Sequence, residues 1–325
     1  MMSSHQLLYL SRADVERVAL DMRTIIELLE RAFLMKGRGE VEMPPKPGIH
    51  TQPDAFIHAM PAYIPALRTA GIKWVSGYPK NQDLGLPYIS GLIVLNDVST
   101  GLPYSVMDCA WITAYRTGAA TALSAKYLAR PDSEVVGIVA CGVQGRTNLE
   151  ALSCLFPIKR VYAYDIRPEA QKRYVEEMSR KLKLEVIGVD EPKEAVVGSD
   201  IVVTSGPILK QPKPTIPRDW LKPGAFASAV DFDSYWKPEA LRQIDKLSTD
   251  DHSQFKYYKS VGYFETTPEP YADLGELVAG LKPPRESDEE RTMAMNLGLA
   301  LEDMAVAPEV YRRAREHGVG TRLPL

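Results

Sequence analysis

Cysteine is scarce in this chain. Three occur in 325 residues, Cys109, Cys141 and Cys154, each in an apolar setting and none in a CxxC pair. That excludes a disulfide framework and gives no sign of zinc, so no metal is expected. No run of about 18 apolar residues occurs, so no membrane-spanning helix is expected. Neither sign of charge dominates: 39 Lys and Arg against 42 Asp and Glu leave a net charge of −3. There is no basic field for nucleic acid or for an acidic membrane surface. The opening Met1-Met2-Ser3-Ser4-His5 lacks the charged-then-apolar pattern of a signal peptide, and the expectation is a cytoplasmic protein in a reducing compartment. Internal repeats, linkers and low-complexity tracts are also missing. With 45% hydrophobic and 25% charged residues, disorder and fibrous structure are excluded, and 325 residues suffice for two domains with separate cores.

What is present centres on Glu134-Val-Val-Gly-Ile-Val-Ala-Cys-Gly-Val-Gln-Gly145. It reads as a buried strand (Val135, Val136, Ile138, Val139) entering a glycine-bearing turn, then a helix beginning near Arg146. Backbone N–H groups and the positive end of a helix dipole converge at such a turn, and a pyrophosphate can sit there. The spacing is a variant of G-x-G-x-x-G, with Ala140, Gly142 and Gly145 at the three positions. A second strand, Arg160-Val-Tyr-Ala-Tyr-Asp165, ends in an acid 20 residues after Gly145. An acid there can accept hydrogen bonds from ribose hydroxyls, and the combined set implies a dinucleotide site.

Residues 8–39 read as helical, with Ser11 and Asp14 as a capping box, Asp21 capping a second helix and Gly37 and Gly39 stopping it. Ile25, Ile26, Leu29 and Phe33 form an apolar face of that second helix. From Met43 to Met107 the texture is of short strands, Phe56–Met60, Ala70–Val75 and Ile89–Leu95, separated by turns as in an antiparallel sheet. A small-residue helix, Ile112–Leu128, follows. After Asp165, Pro168 opens a helix, Leu184–Val189 is a third strand, Pro192–Val197 a short helix and Ile201–Ser205 a strand. Trp220–Gly224 turns into a strand over Ala225–Phe232. The periodic segment Asp288–His317 contains Gly298 and Pro308, so two or three short helices are expected, crossing back onto the first domain.

Ordered along the whole chain are Ala59-Met-Pro-Ala-Tyr63, Gly71-Ile-Lys-Trp-Val75, Gly91-Leu-Ile-Val-Leu-Asn-Asp97, Thr113-Ala-Tyr-Arg-Thr-Gly118, Leu274-Gly-Glu-Leu-Val-Ala-Gly280 and Gly298-Leu-Ala-Leu-Glu-Asp-Met-Ala305. In these motifs the chain resembles the ornithine cyclodeaminase/mu-crystallin family, which also holds archaeal-type alanine dehydrogenases and imino-acid reductases. The resemblance implies a homodimer with an α/β fold: a Rossmann-type NAD(P)-binding domain (128–291) inserted into an α/β substrate-binding and dimerisation domain (1–127 plus 292–325). It implies an oxidoreductase transferring hydride between a nicotinamide and the α-carbon of a small amino or imino acid, alanine dehydrogenase-like or ketimine reductase-like. The alternatives are a cyclodeaminase with tightly held NAD and a binding protein of the mu-crystallin kind.

Such a reaction needs an anchor for the α-carboxylate, a carrier of protons at the nitrogen and a well-placed nicotinamide. By resemblance Lys73 is the active-site lysine, anchoring the carboxylate and exchanging protons; its place in an apolar strand makes an unpaired ammonium costly. Arg116 contacts the substrate carboxylate and a cofactor phosphate. Lys46 is a second carboxylate ligand. His58 stands where cyclodeaminase-like relatives carry an acid and alanine dehydrogenase-like ones a base, so it is expected to meet a polar or anionic substrate group. Asp233 is the preferred catalytic acid, with Asp231 a competitor. Relatives have small residues where this chain has Asp231-Phe232 and a Gly/Pro-rich turn where it has Ser234-Tyr235-Trp236, which implies a reshaped pocket. For the cofactor, the resemblance implies contacts from Gly142, Val143 and Gln144, from Asp165, Ile166 and Arg167, from Thr204 and Ser205, and from Ser228, Ala229 and Val230, with Ser90 and Lys237 also aligned. Asp165 would repel a 2′-phosphate, so NAD(H) is expected over NADP(H), a preference softened by Arg167.

Overall fold

The computed structural model describes residues 5–325; the reading of Met1-Met2-Ser3-Ser4 lies outside them. In chain order the elements are β1 (Gln6–Leu10), α1 (Arg12–Arg17), α2 (Met22–Gly37), β2 (Gly48–Ile49), β3 (Phe56–Ile64), β4 (Thr69–Gly77), β5 (Ile89–Asn96), β6 (Pro103–Asp108) and α3 (Ala110–Leu128). There follow β7 (Val135–Val139), α4 (Val143–Leu155), β8 (Arg160–Tyr164), α5 (Pro168–Leu182), β9 (Glu185–Gly188), α6 (Pro192–Val196), β10 (Ile201–Thr204), β11 (Phe226–Ala229) and α7 (Pro238–Leu241). The last are β12 (Lys246–Thr249), α8 (His252–Ser260), β13 (Ala272–Asp273), α9 (Leu274–Val278), β14 (Thr292–Met295), α10 (Ala300–Glu316) and β15 (Thr321–Pro324).

The chain forms two compact units, the chain up to Arg116 with Leu299–Leu325, and Thr117–Gly298. The boundaries expected at 127/128 and 291/292 both fall inside the second unit. Contacts within that unit give the reason. A Cβ on Gly118 would lie 2.5 Å from the Thr147 carbonyl oxygen of α4, Thr121 and Ser228 hydroxyls meet at 2.9 Å, and Thr292 donates to the Leu128 carbonyl at 2.6 Å. The small-residue half of α3 and all of β14 therefore pack with the second unit's sheet.

In the first unit a seven-stranded sheet runs β15-β1-β6-β5-β4-β3-β2. Strands β3 to β6 form an antiparallel meander, as the short apolar runs require. Alternate residues of β3, His58, Met60, Ala62 and Ile64, are buried, and on β4 Lys73 and Val75 share that inner face. Helix α10 lies against β3, β4, β5 and α2. On α2 the side chains of Ile25, Ile26, Leu29 and Phe33 are wholly buried, each contributing about 1.5–3 kcal/mol. Its cap is Asp21, accepting from the Thr24 N–H at 2.9 Å, and α1 has the Ser11–Asp14 capping box.

Two expectations about secondary structure need correction. Residues 6–10 are strand β1, paired with β6 and β15, because Leu8 and Leu10 alternate inward. The segment expected as several helices is strand β14, wholly buried between β11 and β12, followed by a single α10 that carries Pro308 internally. A buried parallel strand is apolar throughout, and Thr-Met-Ala-Met shows no periodicity to separate it from helix. Gly298, at φ 77°, makes the break between them. Pro308 costs α10 one backbone hydrogen bond, to Met304, without ending a helix whose residues 300–307 are nearly all buried.

The second unit is a parallel sheet in the order β13-β12-β14-β11-β10-β7-β8-β9, a doubly wound Rossmann-type arrangement. From β7 the chain winds outward through β8 and β9, then returns to β10 on β7's other side. The carboxyl ends of β7 and β10 thus bound the switch point where such sheets take ligands. Short β7 is held close to the α6 end, for a Cβ on Gly137 would lie 1.7 Å from the Ala195 carbonyl oxygen. Gly137→Ala is expected to destabilise the protein by about 2–3 kcal/mol through overpacking, read as a lowered urea midpoint. An unchanged midpoint would mean that α6 is free to move away.

Candidate active site

In the first unit the sheet's inner face brings Lys73 under the first turn of α10. Lys73 is fully buried; its Nζ lies 2.6 Å from Asp303 Oδ2 and donates to Thr113 Oγ1 at 3.4 Å. Arg116, also buried, sets Nη1 2.5 Å from Glu302 Oε2 and Nε 3.5 Å from Asp303 Oδ1. Two cations and two carboxylates are thus gathered in the interior. Burial pushes the Lys73 ammonium below its ordinary pKa, Arg116 adds to that and Asp303 opposes it. Burial holds the Glu302 carboxyl high, against the pull of Arg116, and lifts the neighbouring Cys109 thiol to about 11.

His58 and Lys46 are buried in the same unit. The His58 ring stacks on Phe56, with centroids 4.2 Å apart, and faces Lys46, His50 and Lys73. Burial and then those neighbours bring its pKa down to about 3, so it is a neutral imidazole at pH 7. Ser90 is not part of this group: it sits on the sheet's outer face, exposed, bonded to Ser76.

Glu302 and Asp303 went unassigned in the sequence, although both lie in the motif Gly298–Ala305. The signal was there: two adjacent acids interrupt an otherwise apolar Ala300–Ala307. Both fall in the first turn of α10, where the helix dipole favours negative charge.

In the second unit the turn after β7 differs slightly from expectation. Helix α4 begins at Val143, with Gly142 as its N-cap and no side chain capping it, rather than near Arg146. Ala140 takes φ 79°, the left-handed region, where the fingerprint usually has glycine. A Cβ on Gly145 would meet the Ala140 carbonyl oxygen at 2.6 Å, and one on Gly142 would meet nothing. The turn is closed by its neighbours. Asp165 Oδ2 accepts from Cys141 N–H at 2.8 Å and Oδ1 from Arg167 N–H at 2.9 Å. Ser205 donates to the Ala140 carbonyl at 3.0 Å, and the Arg146 guanidinium to the carbonyls of Cys141 and Gly142. Val143 and Ile166 stand out into solvent, 62% and 78% exposed. Gln144 lies in α4's first turn, its Oε1 3.3 Å from Asn148 Nδ2. An uncapped helix start, open space beside Gly142 and an acid ending β8 fit a dinucleotide: pyrophosphate at Gly142–Gln144, adenosine ribose at Asp165.

The other second-unit residues divide. Thr204 is wholly buried, donating to Asp231 Oδ1 at 2.7 Å and accepting from Trp236 Nε1 at 3.2 Å. Ser228 and Ala229 are buried in β11, Val230 follows at its end, and Lys237 caps α7. Asp231 is fully buried, with Oδ2 taken by the Gly206 N–H at 2.8 Å, and its pKa is pushed up to about 7 by burial. Asp233 accepts from Thr267 on Oδ2 at 3.0 Å, and burial raises its pKa as well. The bulk expected to reshape a pocket is turned mostly into the core. Phe232 packs on Tyr258 and Phe264, Trp236 is buried, and Tyr235 covers Gly206. A group of metal-ligating type, His252, Asp273 and Glu276, is used in closing α9. Glu276 accepts from the Asp273 N–H and meets His252 at 3.0 Å, while Asp273 accepts from the Glu276 N–H.

A profile of the ornithine cyclodeaminase/mu-crystallin family matches residues 6–318. The chain is similar to the alanine dehydrogenase of Archaeoglobus fulgidus, 36% identical over 325 residues, covering 97% of this chain and 98% of that protein. Among solved structures it is similar to the Delta(1)-pyrroline-2-carboxylate reductase of Thermococcus litoralis in complex with NADH and L-proline, with a TM-score of 0.88, 36% identity, and 97% and 99% of the two chains covered. It is similar also to an archaeal alanine dehydrogenase dimer with bound NAD, with a TM-score of 0.88, 34% identity, and 98% and 99% covered.

His58 gives a pH test. Its native pKa lies below the unfolded value of about 6.5, so as pH falls below 6.5 the unfolded state takes up the proton first and stability is lost until pH about 3. His58→Gln is expected to flatten the stability–pH curve between pH 6.5 and 4, by at most about 1.4 kcal/mol per pH unit. Urea titrations of both proteins check this; parallel curves would show a solvated histidine.

Proposed function

The chain belongs to the ornithine cyclodeaminase/mu-crystallin family, and from that membership we propose that it is an NAD-dependent oxidoreductase of small amino and imino acids. The observation that carries the reading is the burial of Lys73 and Arg116 side by side. Each cation has a carboxylate of α10 beside it that offsets its desolvation, and an ammonium and a guanidinium set together can orient a substrate carboxylate. Lys73 and Arg116 hold the α-carboxylate, with Lys46 as a further cation. The neutral His58 donates a hydrogen bond to a polar substituent of the substrate. Asp233, its pKa raised by burial and its Oδ2 accepting from Thr267, exchanges a proton at the substrate nitrogen. Asp231 spends both oxygens on Thr204 and Gly206 and holds the loop after β10. Gly142, Val143, Gln144, Asp165 and Ser205 hold NAD, which supplies or accepts the hydride when bound. In this reading the unit spanning Thr117–Gly298 binds the cofactor and the other binds substrate.

We also propose a homodimer formed through the outer face of the seven-stranded sheet. Ile72, Val94, Val106 and Tyr9 stand in one row across four strands. Trp74, 47% exposed, pairs with exposed Leu92 beside that row. A continuous apolar face of this kind marks a protein interface. Trp74→Glu is expected to yield monomers in light scattering; a dimer of unchanged mass would move the interface elsewhere.

Activity is tested with 2-oxo acids plus ammonia or methylamine, and with cyclic imines, followed at NADH absorbance. Net NADH oxidation is expected, with NADH preferred over NADPH. Lys73→Met should lower kcat/KM by about a thousandfold or more while NADH affinity stays within about threefold. Ammonia release from a diamino acid without net NADH change would point instead to a cyclodeaminase.

A further inference from the structure

We propose that Asp303 and Glu302 are positioning residues of this site: Asp303 keeps Lys73 an aimed ammonium, and Glu302 fixes the plane of Arg116. The inference rests on the oxidoreductase reading and adds to it two residues that touch the cations rather than the substrate. Each acid is wholly buried, and each engages a residue assigned to the substrate carboxylate. They are consecutive on α10, so a helix that advances about 100° per residue sends one carboxylate to Lys73 and the other to Arg116. Asp303 also reaches Arg116 Nε at 3.5 Å, which ties the two pairs into one cluster. Glu302 is pinned from behind, accepting from the Leu299 N–H at 3.3 Å.

A cluster kept only for stability could be replaced by apolar residues of equal volume at little loss. What apolar residues cannot do is hold an ammonium charged in an interior that disfavours it. The groups facing Lys73 are Asp303 and Glu302 from α10, Arg116 and Thr113 from α3, Cys109 before it, and His58 from β3, with Lys46 beyond. His58 is neutral above pH 4 and the Cys109 thiol is protonated below pH 10. Asp303 is therefore the closest group that favours the charged lysine over the working pH range. Since carboxylate binding needs the ammonium, kcat/KM should fall as pH rises through the pKa of Lys73, and loss of Asp303 should bring that fall to lower pH.

The test uses the full-length protein labelled with [ε-13C]lysine, the Lys73 resonance being assigned through Lys73→Arg. Asp303→Asn is expected to lower the Lys73 titration midpoint, and with it the alkaline limb of kcat/KM, by about one pH unit or more. Glu302→Gln is expected to raise KM for the carboxylate substrate about fivefold or more, with kcat changed less. Should Asp303→Asn not fold, Asp303→Glu keeps the charge but moves it, and must itself shift the Lys73 midpoint. A folded variant at 303 that leaves both the midpoint and the alkaline limb unchanged overturns the proposal. If no amino or imino acid is turned over by the wild type, the oxidoreductase reading fails, and the NMR titration still decides whether Asp303 governs Lys73.

Discussion

An ammonium with no exposed surface, 2.6 Å from a carboxylate that is equally hidden, is the constraint from which the first unit follows. Lys73 occupies a core position on β4, and its neighbours along the strand alternate, Trp74 outward and Val75 inward. A one-residue slip of β4 against β3 would put the lysine on the outer face and the tryptophan in the core. The register that seats Lys73 opposite Met60 and Ile93 is thus the one that gives the sheet a usable apolar outer row and a charged inner site. Helix α10 must then arrive with acids in its first turn. This explains why Leu299–Leu325, far along in sequence, is built into the same unit as β4.

The second unit solves a different problem, that of a tight turn whose backbone groups must be satisfied while one end stays open. Asp165, Ser205 and Arg146 take the N–H of Cys141 and the carbonyls of residues 140–142. The N–H groups of the first turn of α4 are left without a side-chain cap. Orphan donors at a helix start favour an anion, and the exposed Val143 and Ile166 border the same strand ends. Asp165 fixes the turn with both oxygens, one on the Cys141 N–H and one on the Arg167 N–H. Its replacement would disturb the geometry of the loop.

Much of this was legible in the sequence, because the informative features were local. Ser11 and Asp21 as caps, Pro168 at a helix start, the buried β7 and the acid ending β8 each follow from a few adjacent residues. Features that depend on distant partners were not. Strands β1 and β15 are recognisable only once they pair with each other, and β14 only once β11 and β12 cover both its faces. The domain boundary moved for the same reason, since Gly118, Thr121 and Ser124 find their partners in the second unit. Lys73 and Arg116 could be singled out by resemblance, yet Arg116 and Glu302 are 186 residues apart, Lys73 and Asp303 are farther apart still, and packing alone brings them together.

Asp231 and Asp233 show how a small backbone feature separates two neighbouring carboxyls. In an extended strand, residues two apart share a face, so spacing cannot separate them. Phe232 lies between them at φ 63°, a conformation costly for a bulky residue and held here by aromatic packing on Tyr258, Tyr263 and Phe264. The reversal sends Asp231 back to Thr204 and Gly206, where hydrogen bonds occupy both oxygens, and Asp233 to Thr267, which occupies one. Burial raises the pKa of both carboxyls. Tyr258, Tyr263 and Phe264 therefore hold, through Phe232, the backbone turn that sends two neighbouring aspartates to different partners.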